Sequence, residues 1–256
     1  MLRFLAATLA ALLAGLAPTA ASAAPGVAAA SDLKFALDEI AGQFTRETGV
    51  AVRLTYGSSG NFRRQIAEGA PFELFLSADE DYVLALAKEG RMADEGVPYA
   101  VGRLVLFAPS GSPVDPAKGM AHVAELAREG RIDRIAIANP AHAPYGRAAR
   151  EALMKAGAWE ALKGRMVLGE NVSQAAQFAT SGNAGAGLFA YSLTFSPAVA
   201  GKGSFALVPE SMHAPIRQRM ALVKGAGEEA RAFYLYLQAP TARAALSRYG
   251  FTLPGP

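Results

Sequence analysis

The 256-residue chain contains no cysteine. That excludes disulfide staples, thiol catalysis and a lipid-modified cysteine anchor, so an exported form must be stable through core burial alone. Charge is thin and balanced, with 25 Lys and Arg against 22 Asp and Glu. No basic block occurs, which argues against nucleic acid as a partner. The three histidines, His122, His142 and His213, have neither H-x-x-x-H nor H-E-x-x-H spacing, so no zinc-type motif is present. The phosphate-loop pattern G-x-x-x-x-G-K-[ST] is missing as well. Gly57-Ser58-Ser59-Gly60 fails the G-x-S-x-G pattern of a nucleophile elbow.

Long apolar runs are also missing, save one. Arg3 precedes the apolar stretch 4–17, and Ala21-Ser22-Ala23 offers a small-residue cleavage site. Pro18 ends the run before the roughly 20 residues that a membrane span needs. Residues 1–23 therefore read as a secretory signal peptide cleaved after Ala23, and the mature protein as soluble and exported. Removing Arg3 leaves 24 basic against 22 acidic residues, formally +2. The mature 233 residues (24–256), from a chain that is 52% hydrophobic, suffice for two modest domains.

What is present is a rhythm. "GVAAA" (26–30) leads into "SDLKFALDEIAGQF", where Leu33, Leu37, Ile40 and Phe44 share one helical face. Strands are expected at 50–56, 72–78, 100–108, 134–139, 165–170, 185–191 and 217–223. Helices are expected after Ser31, Gly60, Asp79 and Val172, and over about 146–156, 227–238 and 240–248. Such alternation predicts an α/β class with parallel sheets flanked by helices. The long runs 100–108 and 217–223 flank a middle section. They suggest two lobes, 24–103 plus 217–256 and 104–216, hinged near 103–105 and 217–219.

Four turns share one grammar of strand, small polar residue, helix: "AAASDLKF", "TYGSSGNF", "ANPAHAPYGRAAREAL" and "LGENVSQAAQF". In doubly wound sheets such turns lie at the carboxyl ends of strands, where ligands bind. Each helix start carries unpaired N–H groups and about half a positive charge. Four of them facing one point would hold a small dianion without lysine or arginine. Any single Ser or Gly here is equally an N-cap or turn residue, and Tyr145 a packed aromatic; the coincidence of four carries the anion reading. Asp79, Glu80 and Asp81 fit acids at a helix start, and Arg63 and Arg64 a solvated helix face.

Six ordered blocks, the four turns with "GAPFELFLSAD" and the terminal "RYGF", resemble the molybdate-binding proteins of bacterial ABC transporters over the whole mature chain. These are periplasmic type II solute-binding proteins. The resemblance implies a two-lobed fold of mainly parallel sheets joined by two crossover strands, closing on a tetrahedral oxyanion that is handed to a membrane permease with its ATPase. By motif position it implies Ser31 and Ser59 as ligands from lobe one, and Tyr145 and the Val172 N–H from lobe two. Ser58 and Asn171 are secondary candidates. Some members bind through a tyrosine in a G-x-x-Y pattern, where this chain has Ala190; Tyr191 is one position late and expected to face elsewhere. Asp32 is expected to give only its backbone N–H and to turn its carboxylate away, since a charge there repels a dianion. An inward carboxylate would make affinity weak or pH-dependent.

The resemblance implies no catalytic residues, no direct protein ligand to the metal, and no cofactor beyond bound molybdate or tungstate, which sequence does not separate. A periplasmic monomer is expected. Three other readings stay open: a binder of another anion, such as sulfate or thiosulfate, a secreted hydrolase using Ser59 with His142 as base, and a ligand-sensing partner for a membrane receptor.

Overall fold

A computed structural model describes residues 24–255; the signal peptide expected at 1–23 lies outside them. Among these residues ten strands form two five-stranded sheets. The first contains β1 (Gly26–Ala30), β2 (Arg53–Gly57), β3 (Leu74–Ser77), β4 (Val97–Gly102) and β10 (Ile216–Leu222) in the order β2-β1-β3-β10-β4. The second contains β5 (Leu104–Pro109), β6 (Ile135–Ala138), β7 (Met166–Gly169), β8 (Ala186–Ala190) and β9 (Gly203–Leu207) in the order β7-β6-β8-β5-β9. In the first sheet only β10 runs against its neighbours, β3 and β4; in the second only β5 does so, against β8 and β9. Four strands of each sheet therefore point one way, and the helix starts that follow them gather at one end.

Among the described residues nine α-helices flank the sheets: α1 (Lys34–Thr48), α2 (Ser59–Ala67), α3 (Glu80–Lys88), α4 (Gly119–Arg128), α5 (Pro144–Lys155), α6 (Trp159–Leu162), α7 (Val172–Thr180), α8 (Glu228–Tyr236) and α9 (Pro240–Arg248). Among the described residues no helix is long and apolar enough to cross a membrane. The pleat of the first sheet decides its packing, because successive side chains face opposite sides. Val27, Ala29, Leu74, Leu76, Met220 and Leu222 join Leu37, Ile40, Phe44 and Phe233 in one cluster. The intervening Ala28, Phe75 and Ala221 join Phe62, Ile66, Val83 and Leu86 on the other side. The second sheet builds a larger core with α4 to α7, which also reaches Ala30, Ala78 and Ile216 of the first. The two halves thus share apolar contact where the cleft closes.

The expected strand 100–108 is two strands in different sheets, broken at Arg103. Gly102-Arg103 interrupts the apolar run at this break, and the residues on either side belong to different sheets. The return crossing lies in 208–215, before the expected 217–219; those residues already pair with β3 and β4, with a register shift at Gln218/Arg219. Strand β9 and helices α4 and α6 were not expected. Residues 203–207 form an edge strand that is mostly exposed, although Phe205 and Leu207 are apolar.

Candidate functional site

The four turns converge. A small cavity between the sheets is lined by Ser31, Asp32, Ser58, Ser59, Tyr145 and Val172, with Ala30, Gly57, Ala78, Ala143 and Pro144 completing its wall. No lysine, arginine or histidine side chain is among its lining residues. Its volume is about 10 Å³, room for about one water molecule. A polyatomic anion therefore enters only when the lobes swing apart. A groove of about 460 Å³ lined by Asp79, Arg147 and Arg217 adjoins the cavity, sharing Ala78 and Pro144 with it.

Two hydroxyls are oriented as donors. Ser59, fully buried at the first position of α2, accepts from Ala78 N at 2.9 Å. Ser31, which follows β1, accepts from Ser173 N at 3.2 Å. A serine hydroxyl has one proton to give. With N–H groups on the acceptor side, and no acceptor for either proton among the described residues, both protons are left for the cavity. At α7 the backbone completes the wall. Ser173 N goes to Ser31, Gln174 N to the Asn171 side chain and Ala175 N to the Asn171 carbonyl. The remaining first-turn N–H, that of Val172, has no partner among the described residues, and Val172 lines the cavity. Asn171 is thus the N-cap of α7, a role that sequence composition shares with ligand binding.

Ser58 behaves differently from its neighbour. Its hydroxyl donates to the His142 carbonyl at 2.6 Å, and Gly60 N donates to the same oxygen at 3.0 Å. His142 Nδ1 lies 2.9 Å from Ser58 Oγ. Because the Ser58 proton is already given to the carbonyl, Nδ1 must carry the hydrogen, so the ring is no base toward that serine. Nor does it face Ser59. Hydrolytic use of Ser59 by His142 therefore has no geometric support.

Asp32 departs from expectation. Its side chain is not turned away: Oδ2 accepts from Tyr145 Oη at 3.0 Å and from Gln218 Nε2 at 2.6 Å. The residue is 1% exposed, and Oδ1 is buried without a partner. Desolvation raises its carboxyl to about 6, against the lowering pull of the Gln218 and Tyr145 bonds. Burial, and then the charge of Asp32, push the Tyr145 and Tyr99 phenols well above the ordinary tyrosine range, so both remain donors. Tyr99 Oη donates to Gln218 Oε1 at 2.7 Å, which fixes the Gln218 amide with its nitrogen toward Asp32. Tyr191 packs on Phe195 and Phe205, with ring centroids 5.0 and 5.8 Å away, and is not among the residues lining the cavity.

Gln218, Tyr99, Ser173 and the His142 carbonyl were missed from sequence. Gln218 had a signal: an uncharged polar residue on the inward phase of the strand "RQRMALV". The chemistry on offer is reception, since hydroxyl and amide donors surround a water-excluding point. Among the described residues no group of three or more His, Asp or Glu is placed to hold a metal ion.

The same chain is related to known proteins along nearly its whole length. Residues 26–252 match the model for bacterial extracellular solute-binding proteins. The molybdate-binding protein ModA of Rhodobacter capsulatus is 39% identical over 250 residues, covering 96% of this chain and 94% of that one. ModA of Azotobacter vinelandii is 38% identical over 247 residues, covering 95% and 96%. The solved periplasmic molybdate-binding protein of Azotobacter vinelandii superposes with a TM-score of 0.81 at 32% identity, over 90% of this chain and all of that one. A two-sheet cleft lined by donors and a family match over 26–252 agree, and the chain belongs to the bacterial extracellular solute-binding proteins.

Proposed function

We propose that the protein captures molybdate, and with it tungstate, between its two lobes and delivers the anion to the membrane permease of an ABC transporter. The observation that carries this reading is the pair of serine hydroxyls, Ser31 and Ser59, held from different turns with backbone N–H groups on their acceptor sides. The Val172 N–H extends the donor wall from the other lobe, where Tyr145 also lines the cavity with its hydroxyl donated to Asp32 Oδ2. A fully ionised tetrahedral anion satisfies every donor. Hydrogen phosphate would bring a proton to a wall of donors, and an unpaired buried polar group costs about 1–3 kcal/mol. Sulfate oxygens lie closer to their central atom and reach fewer donors at once. The relatives named for molybdate support the same ligand. The working form in this reading is a periplasmic monomer, residues 24–256, released by cleavage after Ala23, with lobes 24–103 plus 217–256 and 104–216.

Thermal unfolding of that mature chain tests the reading. Molybdate or tungstate at 100 times its dissociation constant adds about 2.7 kcal/mol, or roughly 5–11 °C for a chain this size. Sulfate and phosphate at the same concentrations are expected to leave the transition in place. No shift with either metal oxyanion at millimolar concentration would remove the assignment while leaving the fold intact.

A further inference from the structure

One carboxyl sits in a wall otherwise made of donors. Every group facing Asp32 is uncharged in its ordinary state. Tyr145 approaches from α5 and Gln218 from β10, while Tyr99 on β4 acts through Gln218. Ser192, which follows β8, donates to the Asp32 backbone carbonyl at 2.7 Å. The N–H groups of Asp32 and Leu33 also approach the carboxyl and favour its charge slightly, but neither makes a well-formed hydrogen bond to Oδ1. No cation pairs with Asp32 among the described residues; Arg147, which pairs with Asp79 across the cleft, stands in the neighbouring groove. Titratable neighbours are therefore two phenols, both held protonated.

This geometry leaves an ionised Asp32 and an entering dianion in one water-poor cavity with no counter-charge. The two oxygens are not equivalent. Oδ2 holds two donors, whereas Oδ1 is buried with no partner. Resting on the oxyanion reading above, we propose that Asp32 takes up one proton from solvent at Oδ1 as the anion enters, and binds it as a neutral carboxylic acid donor. The balance is simple: one carboxylate and one proton become one acid, and no other covalent bond changes. Tyr145 Oη, no longer held by a charged acceptor, turns its proton to the anion as well. Asp32 is then a specificity-determining residue, because its neutral form completes a wall that only a fully ionised tetrahedral anion satisfies.

The raised carboxyl value fits this direction. Without anion Asp32 loses its proton near pH 6; a bound dianion favours the acid and moves that loss to higher pH. Below pH about 6 the site is already protonated and affinity is flat. Above it, affinity falls by up to about tenfold per pH unit, by linkage.

Isothermal titration of the purified protein with sodium molybdate and with sodium tungstate, from pH 5.5 to 8.5, tests this. At each pH the titration is repeated in two buffers of different ionisation enthalpy, which counts protons. The expected result is nearly one proton taken up per anion at pH 8, far fewer at pH 5.5, and a dissociation constant that rises above pH 6. Asp32→Asn is expected to bind with a flat pH profile and no proton uptake. Tight binding by the unaltered protein at pH 8 with no proton taken up would overturn the proposal and leave the oxyanion site standing. That count needs no variant, so it decides even if Asp32→Asn folds poorly. The same pH profile in a folded Asp32→Asn would also overturn it. Failure of both anions to bind at any pH would instead remove the oxyanion reading, and this proposal with it.

Discussion

The centre and the rim of the cleft are built from the same turns but in different chemistry. At the centre Ser31, Ser59 and Val172 present donors, with Asp32 the one carboxyl among them. At the rim the lobes grip each other directly. Ser58 and Gly60 hold the His142 carbonyl, Asn61 donates to Glu170, and Arg147 pairs with Asp79. Adjacent residues of one helix start, Ser58 and Ser59, fall on opposite sides of this division. Recognition and latching are thus separate functions of one turn, and substitutions should tell them apart.

The largest effect is expected at the centre, on stability. Asp32→Asn removes a buried charge whose carboxyl is raised from 3.8 to about 6. Below pH 3.8 native and unfolded chains both carry the proton, so the substitution gains nothing by this route. Between 3.8 and 6 the native state keeps the proton longer, and its advantage fades as pH rises; above 6 the charge is buried at full cost. The variant is therefore expected to gain up to about 3 kcal/mol at pH 8 and almost none at pH 3.5, read by denaturant unfolding at both values.

The rim comes next. A Cβ on Gly60 would stand 2.5 Å from the His142 carbonyl oxygen across the cleft. Alanine suits a helix better than glycine, so the damage from Gly60→Ala falls on closure alone. An overpacked contact costs about 1–3 kcal/mol, which weakens anion binding up to roughly 100-fold by depleting the closed form. Small-angle scattering with saturating molybdate should report a more open particle. Normal affinity and a compact particle would show that this contact does not govern closure.

Ser59→Ala removes a donor to a charged ligand and is expected to weaken binding by about 1–3 kcal/mol, whereas Ser58→Ala loses one neutral latch bond, about 1 kcal/mol or less. Equal losses in calorimetry would erase the distinction between centre and rim. The smallest effect belongs to Arg147→Ala. Its partly exposed pair with Asp79 is worth under about 1 kcal/mol and should fade with salt. The difference in affinity between variant and parent should vanish at 1 M sodium chloride.

Sequence carried the fold far, because its strands alternate with helices and each helix buries a periodic face; Leu33, Leu37, Ile40 and Phe44 all lie in the core. The convergence of four turns was legible too, since strand direction places helix starts at one end. What local pattern did not carry was the destination of each proton. Ser58 and Ser59 look alike in "GSSG", and only the approach of His142, 84 positions away, makes one a latch. The Asp32 carboxyl was expected to avoid the site on charge grounds. Gln218, 186 positions on, fixes it there instead, and burial weakens the charge that motivated the expectation.

The placement of β10 has a consequence for how the chain reaches its native state. All strands of the second sheet lie within 104–207, but the first sheet has β10 inserted between β3 and β4, pairing Arg219 with Ser77. Closing so long a loop carries an entropy cost before any contact repays it. During synthesis and refolding the second sheet is expected to acquire amide protection first, while β4 waits detached from β3 until residues 216–222 arrive. The protein would then assemble its middle before its beginning.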